Sequence, residues 1–189
     1  GVAHTGTGLQ ASANTHLISA LAGGRHSNAV AYISPSFGGL TVAYNHARMT
    51  ETAGTTGNTD AHGNLLSLSY ANGPTSAAAI YTRVTLDGAN NNVKEWGLRA
   101  GYDFGVVKLQ AQYQRAKDEA ITTGSDSLWL VSATVPVGAK VAVIGEFGHT
   151  SRKSTTTADN VNAATVAATY SLSKRTTAYA GMKAVRVQS

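Results

Sequence analysis

Apolar and polar residues alternate along residues 94–115, and this stretch shows how the chain is organised. A period of two places successive side chains on opposite faces of a β-strand. The stretch therefore predicts a β-hairpin with one apolar and one polar face, turning at Gly105. Each strand is about ten residues long, which is the length needed to cross a bilayer at a tilt. The apolar parity contains Trp96, Leu98, Ala100, Tyr102 and Phe104, followed by Val107, Leu109, Ala111 and Tyr113.

The same alternation recurs along the chain and predicts ten strands. Their connections are alternately short, of one to five residues, and long, of about seven to fifteen polar residues. Short turns on one side and long loops on the other are typical of an outer-membrane barrel. The pattern thus predicts an all-β fold, a transmembrane antiparallel β-barrel. The predicted strands are residues 28–34, 40–48, 65–71, 77–86, the two strands of residues 94–115, 128–137, 141–149, 163–172 and 177–187.

Composition agrees with a barrel but does not by itself separate it from a soluble all-β protein. Charged residues make up 13% of the 189 residues, against about a quarter in typical soluble domains. No apolar run approaches the roughly 20 residues of a membrane-spanning helix. The absence of cysteine excludes disulfides and thiolate metal sites. The net charge of +5 is spread over single Lys and Arg residues, which argues against a nucleic-acid interface.

Two segments resemble the general diffusion porins of the Gram-negative outer membrane, of the β-proteobacterial and neisserial type. Residues 25–44, RHSNAVAYISPSFGGLTVAY, match the family's sequence of Arg, an apolar–Tyr strand, Ser-Pro, an aromatic residue and a Gly-Gly turn. Residues 168–179, ATYSLSKRTTAY, resemble a stretch near the family's C-terminus. The resemblance implies a sixteen-stranded barrel, of which this chain supplies the sixth to fifteenth strands. It also implies that residues 1–24 are the tail of the inward-folded constriction loop and residues 25–189 are barrel strands.

Ten strands of a sixteen-stranded sheet leave two unpaired edges. Unpaired backbone N–H and C=O groups cost several kcal/mol each in lipid, so such a sheet is not stable in a membrane alone. Three alternatives follow. The molecule contains more chain than these 189 residues, it pairs with itself, or it closes as a smaller barrel with a narrower lumen.

Charged residues on the polar parity are the candidates for the pore wall. Arg99 and Lys108 point into the lumen if the apolar parity faces lipid, and rings of basic residues favour anions. Glu95 and Asp103 share the face of Arg99, so an alternative is a structural network within the wall. The resemblance adds Arg25, which matches the family Arg opposite the constriction loop. The pore-lining and constriction candidates are Arg25, Arg99, Lys108, Glu95 and Asp103.

Aromatic residues recur on the apolar parity near the strand ends. Rings at these positions are typical of the interfacial girdle of a membrane barrel. The alternative is that they are ordinary aromatic residues of a β-sheet surface. The girdle candidates are Tyr32, Tyr44, Tyr70, Trp96, Tyr102, Tyr113, Trp129 and Tyr170.

No motif for metal binding or catalysis is present, so we expect neither a cofactor nor an enzyme. The six histidines lack H-x-H or H-E-x-x-H spacing. Acidic residues in 50–60 and 118–126 could hold Ca²⁺ in loops, although EF-hand spacing is absent. Nucleophile-elbow and phosphate-loop motifs are also absent.

The sequence therefore predicts a water-filled channel for passive diffusion of small hydrophilic solutes and ions, with a preference for anions. Two alternatives remain: a barrel that acts as an adhesin or receptor through its long loops, and a soluble all-β binding module. The expected location is the outer membrane of a Gram-negative cell. Expected partners are outer-membrane lipid and lipopolysaccharide, small solutes and anions, but not nucleic acid. Family resemblance also implies a homotrimer.

Overall fold

The computed structural model describes residues 28–50, 61–86, 91–119, 124–153, 160–173 and 175–188. These residues form one sheet of ten antiparallel strands, in which each strand pairs with its neighbours in sequence. The all-β prediction and the number of strands are therefore confirmed. The strands are β1 (Asn28–Ile33), β2 (Leu40–Thr50), β3 (Ala61–Asn72), β4 (Thr75–Leu86), β5 (Asn91–Asp103), β6 (Lys108–Asp118), β7 (Asp126–Val137), β8 (Val141–Ser151), β9 (Asn160–Ser173) and β10 (Thr176–Gln188).

The observed strands differ from the predicted ones mainly at their ends. β3 begins at Ala61, four residues before the predicted start, because its first residues pair with the ends of β2 and β4. The turn between β5 and β6 is longer than the single residue Gly105. The amide of Phe104 donates to the carbonyl of Val107 at 2.9 Å, and the Gly105 amide donates to the Asp103 carboxylate at 2.8 Å.

The connections keep the predicted alternation in length except between β4 and β5, where the connection of residues 87–90 is no longer than the turn of residues 104–107. One end of the sheet carries the short turns, at residues 34–39, 73–74, 104–107, 138–140 and 174–175. The remaining connections lie at the opposite side, which we call the loop side. Within the described residues, β1 and β10 lie at opposite edges of the sheet and do not pair with each other. The smaller closed barrel is thus not formed by this part of the chain.

The two faces of the sheet differ in burial. On β7, Leu128, Leu130 and Ser132 are buried, whereas Trp129 and Val131 are exposed. Side chains of one parity therefore crowd together and those of the other parity spread apart, as on the two sides of a curved sheet. We call the crowded side the inner face and the other side the outer face.

The structure also assigns the faces of β4, where the sequence left the parity unclear. Thr82 and Val84 are buried on the inner face, and Tyr81 is exposed on the outer face. The ambiguity arose because residues 77–79 are all alanine, which carries no signal of burial on either face.

A small apolar cluster interrupts the inner face of β7, β8 and β9. Leu130 on β7 is 4% exposed. Gly148 on β8 lies directly opposite Leu130, and Ala163 on β9 lies directly opposite Gly148. Because Gly148 has no side chain, Leu130 can pack against Ala163 across the intervening strand. Leu128 and Ile144 are buried on the same face. The expectation of a polar inner side along every strand is therefore too simple in this region.

The turn between β1 and β2 requires glycine at position 39. Gly39, between β1 and β2, has a φ of +92°, a conformation that residues with a side chain rarely adopt. A Cβ at this position would also lie 2.4 Å from the carbonyl oxygen of Ala71. The close approach allows the Ala71 amide to donate to the Gly39 carbonyl at 2.9 Å.

The described residues contain no helix with the length and apolar character of a membrane span.

Candidate functional site

Four of the five predicted pore-lining residues lie together on the inner face of β5 and β6. Glu95, Arg99 and Asp103 are spaced by four residues along β5, so their side chains share one face. Lys108 begins β6 and is directly opposite Asp103 in the register. Opposite residues have Cβ atoms about 4.5–5.5 Å apart, so this pair places a cation beside a carboxylate.

Arg99 has neutral residues directly opposite it on both neighbouring strands. These residues are Ala78 on β4 and Gln112 on β6. Its side chain is half-buried, and Gln112 is buried next to it. Arg99 therefore places a positive charge on the inner face about midway along the two strands.

Glu95 lies closer to the loop side and is only 7% exposed. The Thr82 hydroxyl on β4 donates to its carboxylate at 3.5 Å. Gln114 is buried on the same face of β6. A carboxylate with a hydroxyl and an amide nearby fits a hydrated polar wall better than a dry apolar core.

The inner face contains further polar residues that the sequence analysis did not single out. Gln110, Gln112 and Gln114 alternate along β6, and this period of two was the signal that could have found them. Glu146 on β8 is buried opposite Ser132 and Thr165, and Lys183 follows Thr165 across the register. The polar wall thus extends from β4 to β10.

Some predicted features lie outside the described residues. Arg25 and the segment 1–24 are among these, as are Glu51 and Asp60, the two acidic residues of 50–60 proposed for Ca²⁺. Across the described ranges, no three His, Cys, Asp or Glu side chains cluster closely enough to hold a metal ion. Calcium in the loops and the constriction role of Arg25 stay predictions.

All eight predicted girdle residues lie on the outer face. Their exposed fractions range from 37% to 62%. Trp96 and Tyr113 pack with ring centroids 5.3 Å apart, although they lie on different strands. Trp129 packs in the same way on Phe147 at 5.4 Å. Large rings that contact each other but stay exposed indicate a surface that faces an apolar solvent rather than water.

The sequence analysis missed other outer-face residues. Tyr81 and Phe147 extend the aromatic set on β4 and β8. On the described strands, six cations occupy the loop-side ends of the outer face. Arg48 lies on β2 and Arg186 on β10. The other four adjoin one another on β4–β6, namely Arg83, Lys94, Arg115 and Lys117. The parity of Lys94 and Arg115 was visible in the sequence. The clustering was not, because it depends on the register between strands.

Comparison with known proteins gives the family. A family model described as Gram-negative porin matches residues 1–188. Outer membrane porin protein 32 of Delftia acidovorans is 27% identical over 164 residues, covering 84% of this chain and 46% of that protein. An outer membrane porin protein of Bordetella pertussis is 28% identical over 147 residues, covering 60% of this chain and 38% of its own length.

Solved structures support the fold independently. An anion-selective porin from Comamonas acidovorans superposes with a TM-score of 0.71 at 24% identity, covering 86% of this chain and 50% of that chain. The outer membrane protein OmpT of Vibrio cholerae, folded in vitro, gives a TM-score of 0.71 at 12% identity, covering 89% and 56%. At these identities the likeness concerns the fold, and it shows that the open sheet has the curvature of a porin wall.

The chain spans less than half the length of the two curated relatives that it matches. Both relatives are named outer membrane porins, which agrees with the predicted location in the Gram-negative outer membrane. The predicted barrel fold and the resemblance drawn from residues 25–44 and 168–179 are confirmed by the family match and the superpositions. Its two-faced antiparallel sheet and the match along residues 1–188 show that this chain belongs to the Gram-negative porin family.

Proposed function

We propose that the protein forms a water-filled channel through which small hydrophilic solutes and ions diffuse passively across the outer membrane. One observation carries the proposal. On β4–β6 the inner face presents amides, hydroxyls and charges, and on β7–β9 it presents Ser132, Glu146 and Thr165 beside the apolar cluster. The outer face presents exposed aromatic and aliphatic residues. Such a sheet separates water from hydrocarbon, which is the task of a porin wall.

The width of the channel depends on the complete barrel. Barrels of 16–18 strands leave an aqueous lumen, whereas barrels of about eight strands are filled by side chains. The ten strands described here supply one continuous part of such a wall. Transport then needs only a wide polar lumen and the field of its lining residues, without catalytic chemistry.

We also propose a preference for anions, carried in this part of the wall by Arg99 and Lys108. Both lie on the inner face, and Lys183 adds a third cation there. The carboxylates of Glu95, Asp103 and the other inner acidic residues partly cancel the positive electrostatic potential of these cations, so the potential is strongest close to each cation. The anion-selective porin from Comamonas acidovorans shares the fold, which favours the same preference here.

The proposed surroundings follow from the outer face. Its aromatic girdle fits the lipid interface, with the loop side toward the cell exterior. A trimer is part of the proposal by analogy with the trimer form described for OmpT of Vibrio cholerae.

Single-channel recording in planar bilayers tests the channel and its selectivity, with the full-length protein. We expect ohmic steps and a reversal potential in a KCl gradient that reports chloride preference. Arg99→Glu and Lys108→Glu should each lower the chloride-to-potassium permeability ratio by roughly two- to fourfold, since a two-unit change of charge acts across a lumen of about 10 Å in water.

The matched control is Lys117→Glu, which makes the same change of charge on the outer face. It should leave the permeability ratio unchanged because the wall separates that side chain from the lumen. A protein that inserts but gives no conductance contradicts the channel. An unchanged ratio in both inner-face variants removes Arg99 and Lys108 from the selectivity.

A further inference from the structure

Two histidines lie side by side on the outer face of β2 and β3, near the loop side. His46 on β2 is directly opposite Asn64 on β3, and His62 is two residues from Asn64 along the same strand. Diagonal neighbours of this kind have Cα atoms about 7–8 Å apart, within reach of aromatic side chains. The two imidazole rings have centroids 6.2 Å apart, and their planes are tilted by 40°. Both rings therefore occupy one small region of the surface.

The hydrogen bonds of His46 determine which of its ring nitrogens carries the proton. The Asn64 Oδ1 accepts from the Tyr44 hydroxyl at 2.7 Å, and the His46 Nδ1 lies 2.9 Å from the same oxygen. Because a carbonyl oxygen can only accept, Nδ1 carries the hydrogen, and Nε2 of the neutral ring carries the lone pair. Metal-binding histidines have this arrangement: one nitrogen donates to an oxygen that fixes the tautomer and the ring orientation, and the other binds the metal.

The separation of the rings fits a metal ion shared between them. A Zn–N bond is about 2.0–2.1 Å, and a ring nitrogen lies about 1.1 Å from its centroid, so each centroid lies roughly 3.2 Å from a bound zinc ion. Two rings at the tetrahedral angle then have centroids about 5.2 Å apart. The observed 6.2 Å exceeds this value by about 1 Å. Rotation about χ2 closes such a gap at low cost, because that torsion is broad in histidine.

The surroundings of the pair leave it accessible to ions. His46, His62 and Asn64 are half-buried, so neighbouring side chains restrict them without covering them. His46 stands two residues beyond Tyr44 toward the loop side, about 6.7 Å along the strand. Since interfacial aromatics mark the edge of the hydrocarbon, the two imidazoles lie in the polar zone that hydrated ions reach.

Two cations adjoin the histidines and limit the expected affinity. Arg48 is directly opposite His62, and Arg83 is directly opposite Asn64. The Arg83 Nε donates to Asn92 of β5 at 3.1 Å, which directs this guanidinium away from β2. Positive charges repel a divalent cation, and two imidazoles are fewer than the four ligands of a structural zinc site. We therefore expect a Kd for Zn²⁺ on the order of 10 µM.

A second row of the sheet has the same His–Asn pair without the second histidine. His149 on β8 is directly opposite Asn162 on β9, and its Nδ1 lies 2.7 Å from the Asn162 Oδ1. Asn160 stands where the first row has His62, two residues from the paired asparagine toward the loop side. The second row is thus a natural control, since of the two rows only the first brings two imidazoles together.

We propose that His46 and His62 bind a divalent transition-metal cation of the zinc type, with Asn64 as a positioning residue. His46 coordinates through Nε2 and His62 through one of its two ring nitrogens, while water completes the coordination. Imidazole nitrogens favour zinc, copper and nickel, whereas calcium and magnesium favour oxygen ligands. Metal binding at this site goes beyond the proposed channel and does not depend on conductance.

Calorimetric titration of the full-length protein in detergent with Zn²⁺, in excess Mg²⁺ and Ca²⁺, tests the site. His46→Ala and His62→Ala should each weaken Zn²⁺ binding on the order of 100-fold, because a single imidazole remains. Asn64→Ala should weaken it about tenfold, since the His46 ring loses the oxygen that orients it. The matched control is His149→Ala, which removes the histidine of the second row and should leave the affinity unchanged.

A gain of binding tests whether the arrangement itself creates the site. Asn160→His gives the second row the imidazole that it lacks, at the position that corresponds to His62. This variant should bind one more equivalent of Zn²⁺ than the parent protein, and the added His149→Ala change should remove that equivalent again. If Asn160→His adds no binding, the geometric argument is overturned.

Three further results overturn the proposal: a parent protein that binds no Zn²⁺, equal Zn²⁺ affinity in the parent protein and in both histidine variants, and Zn²⁺ displaced by Ca²⁺. Conductance equal to that of the parent protein verifies that each variant is folded. Failure of the channel is a separate outcome, because it removes the conductance of the parent protein while leaving the loss of Zn²⁺ binding in His46→Ala intact.

Discussion

Strands β4–β6 and β7–β9 belong to one sheet but use their two faces differently. On the outer face, β4–β6 present four cations beyond their aromatic residues. At the same level, β7 and β8 present Ser127 and Ser151, which follow Arg115 in the register, and β9 presents Asn160. Both regions keep the aromatic residues, whereas of these two regions only β4–β6 place cations at this level of the outer face.

The inner faces of the two regions differ in the same sense, with β5 and β6 more polar than β7 and β8. β5 and β6 direct Glu95, Arg99 and Gln112 inward, while β7 and β8 bury Leu128, Leu130 and Ile144 there. Leu130 is directly opposite Gln112, so the change from polar to apolar occurs between two adjacent strands. The comparison shows that the barrel alternation fixes which face a residue lies on, and that local packing then decides how polar each sector of that face is.

The largest expected effect comes from placing a charge on the outer face of β7, the strand whose inner face buries Leu128 and Leu130. Val131→Arg should lower the free energy of unfolding by about 2–4 kcal/mol in lipid vesicles, the cost of an arginine near the bilayer midplane. Gln110→Arg on the inner face is the control, and we expect less than about 1 kcal/mol there. Denaturant titration measures both. Equal costs would contradict the assignment of the two faces.

A smaller effect on the free energy of unfolding distinguishes the inner face of β7 from that of β6. Leu130→Ala should cost about 2–3 kcal/mol, because it removes a buried side chain from its contact with Ala163. Gln112→Ala, at the directly opposite position, should cost about 1 kcal/mol or less, since the buried Oε1 of Gln112 accepts no hydrogen bond from the described residues that the substitution would remove. Denaturant titration of both variants gives the difference. A smaller loss for Leu130→Ala than for Gln112→Ala would show that the apolar cluster does not stabilise the wall.

Much of the fold could be predicted from the sequence, because strand periodicity is a local property. The parity of residues 94–115 gave the faces of Trp96, Arg99 and Lys108 directly, since each side chain follows its neighbour by a fixed rotation. The lengths of the connections gave the asymmetry of the two sheet ends. Where the side chains were uniform, as in the alanines of 77–79, the same reasoning could not assign a face.

The site was predictable only in part. The inward charges of β5 were recognisable because they lie within one strand. The pairing of Lys108 with Asp103 was not predicted, because it depends on the four-residue turn 104–107 rather than on the single residue Gly105. Leu130 was not expected among the inner residues, because its burial depends on Gly148 and Ala163 of two other strands.

By itself, the sequence determined which residues alternate, where the chain turns, and that one side of each strand is apolar and the other is on average polar. These are consequences of backbone geometry over a few residues. Only the tertiary structure decided the register, which brings Arg83, Lys94 and Lys117 into one row although they are separated by up to 34 positions in the chain. Cross-strand pairing is set by the hydrogen bonds and packing of the whole sheet, and so a cluster made from three strands cannot be derived from any one of them.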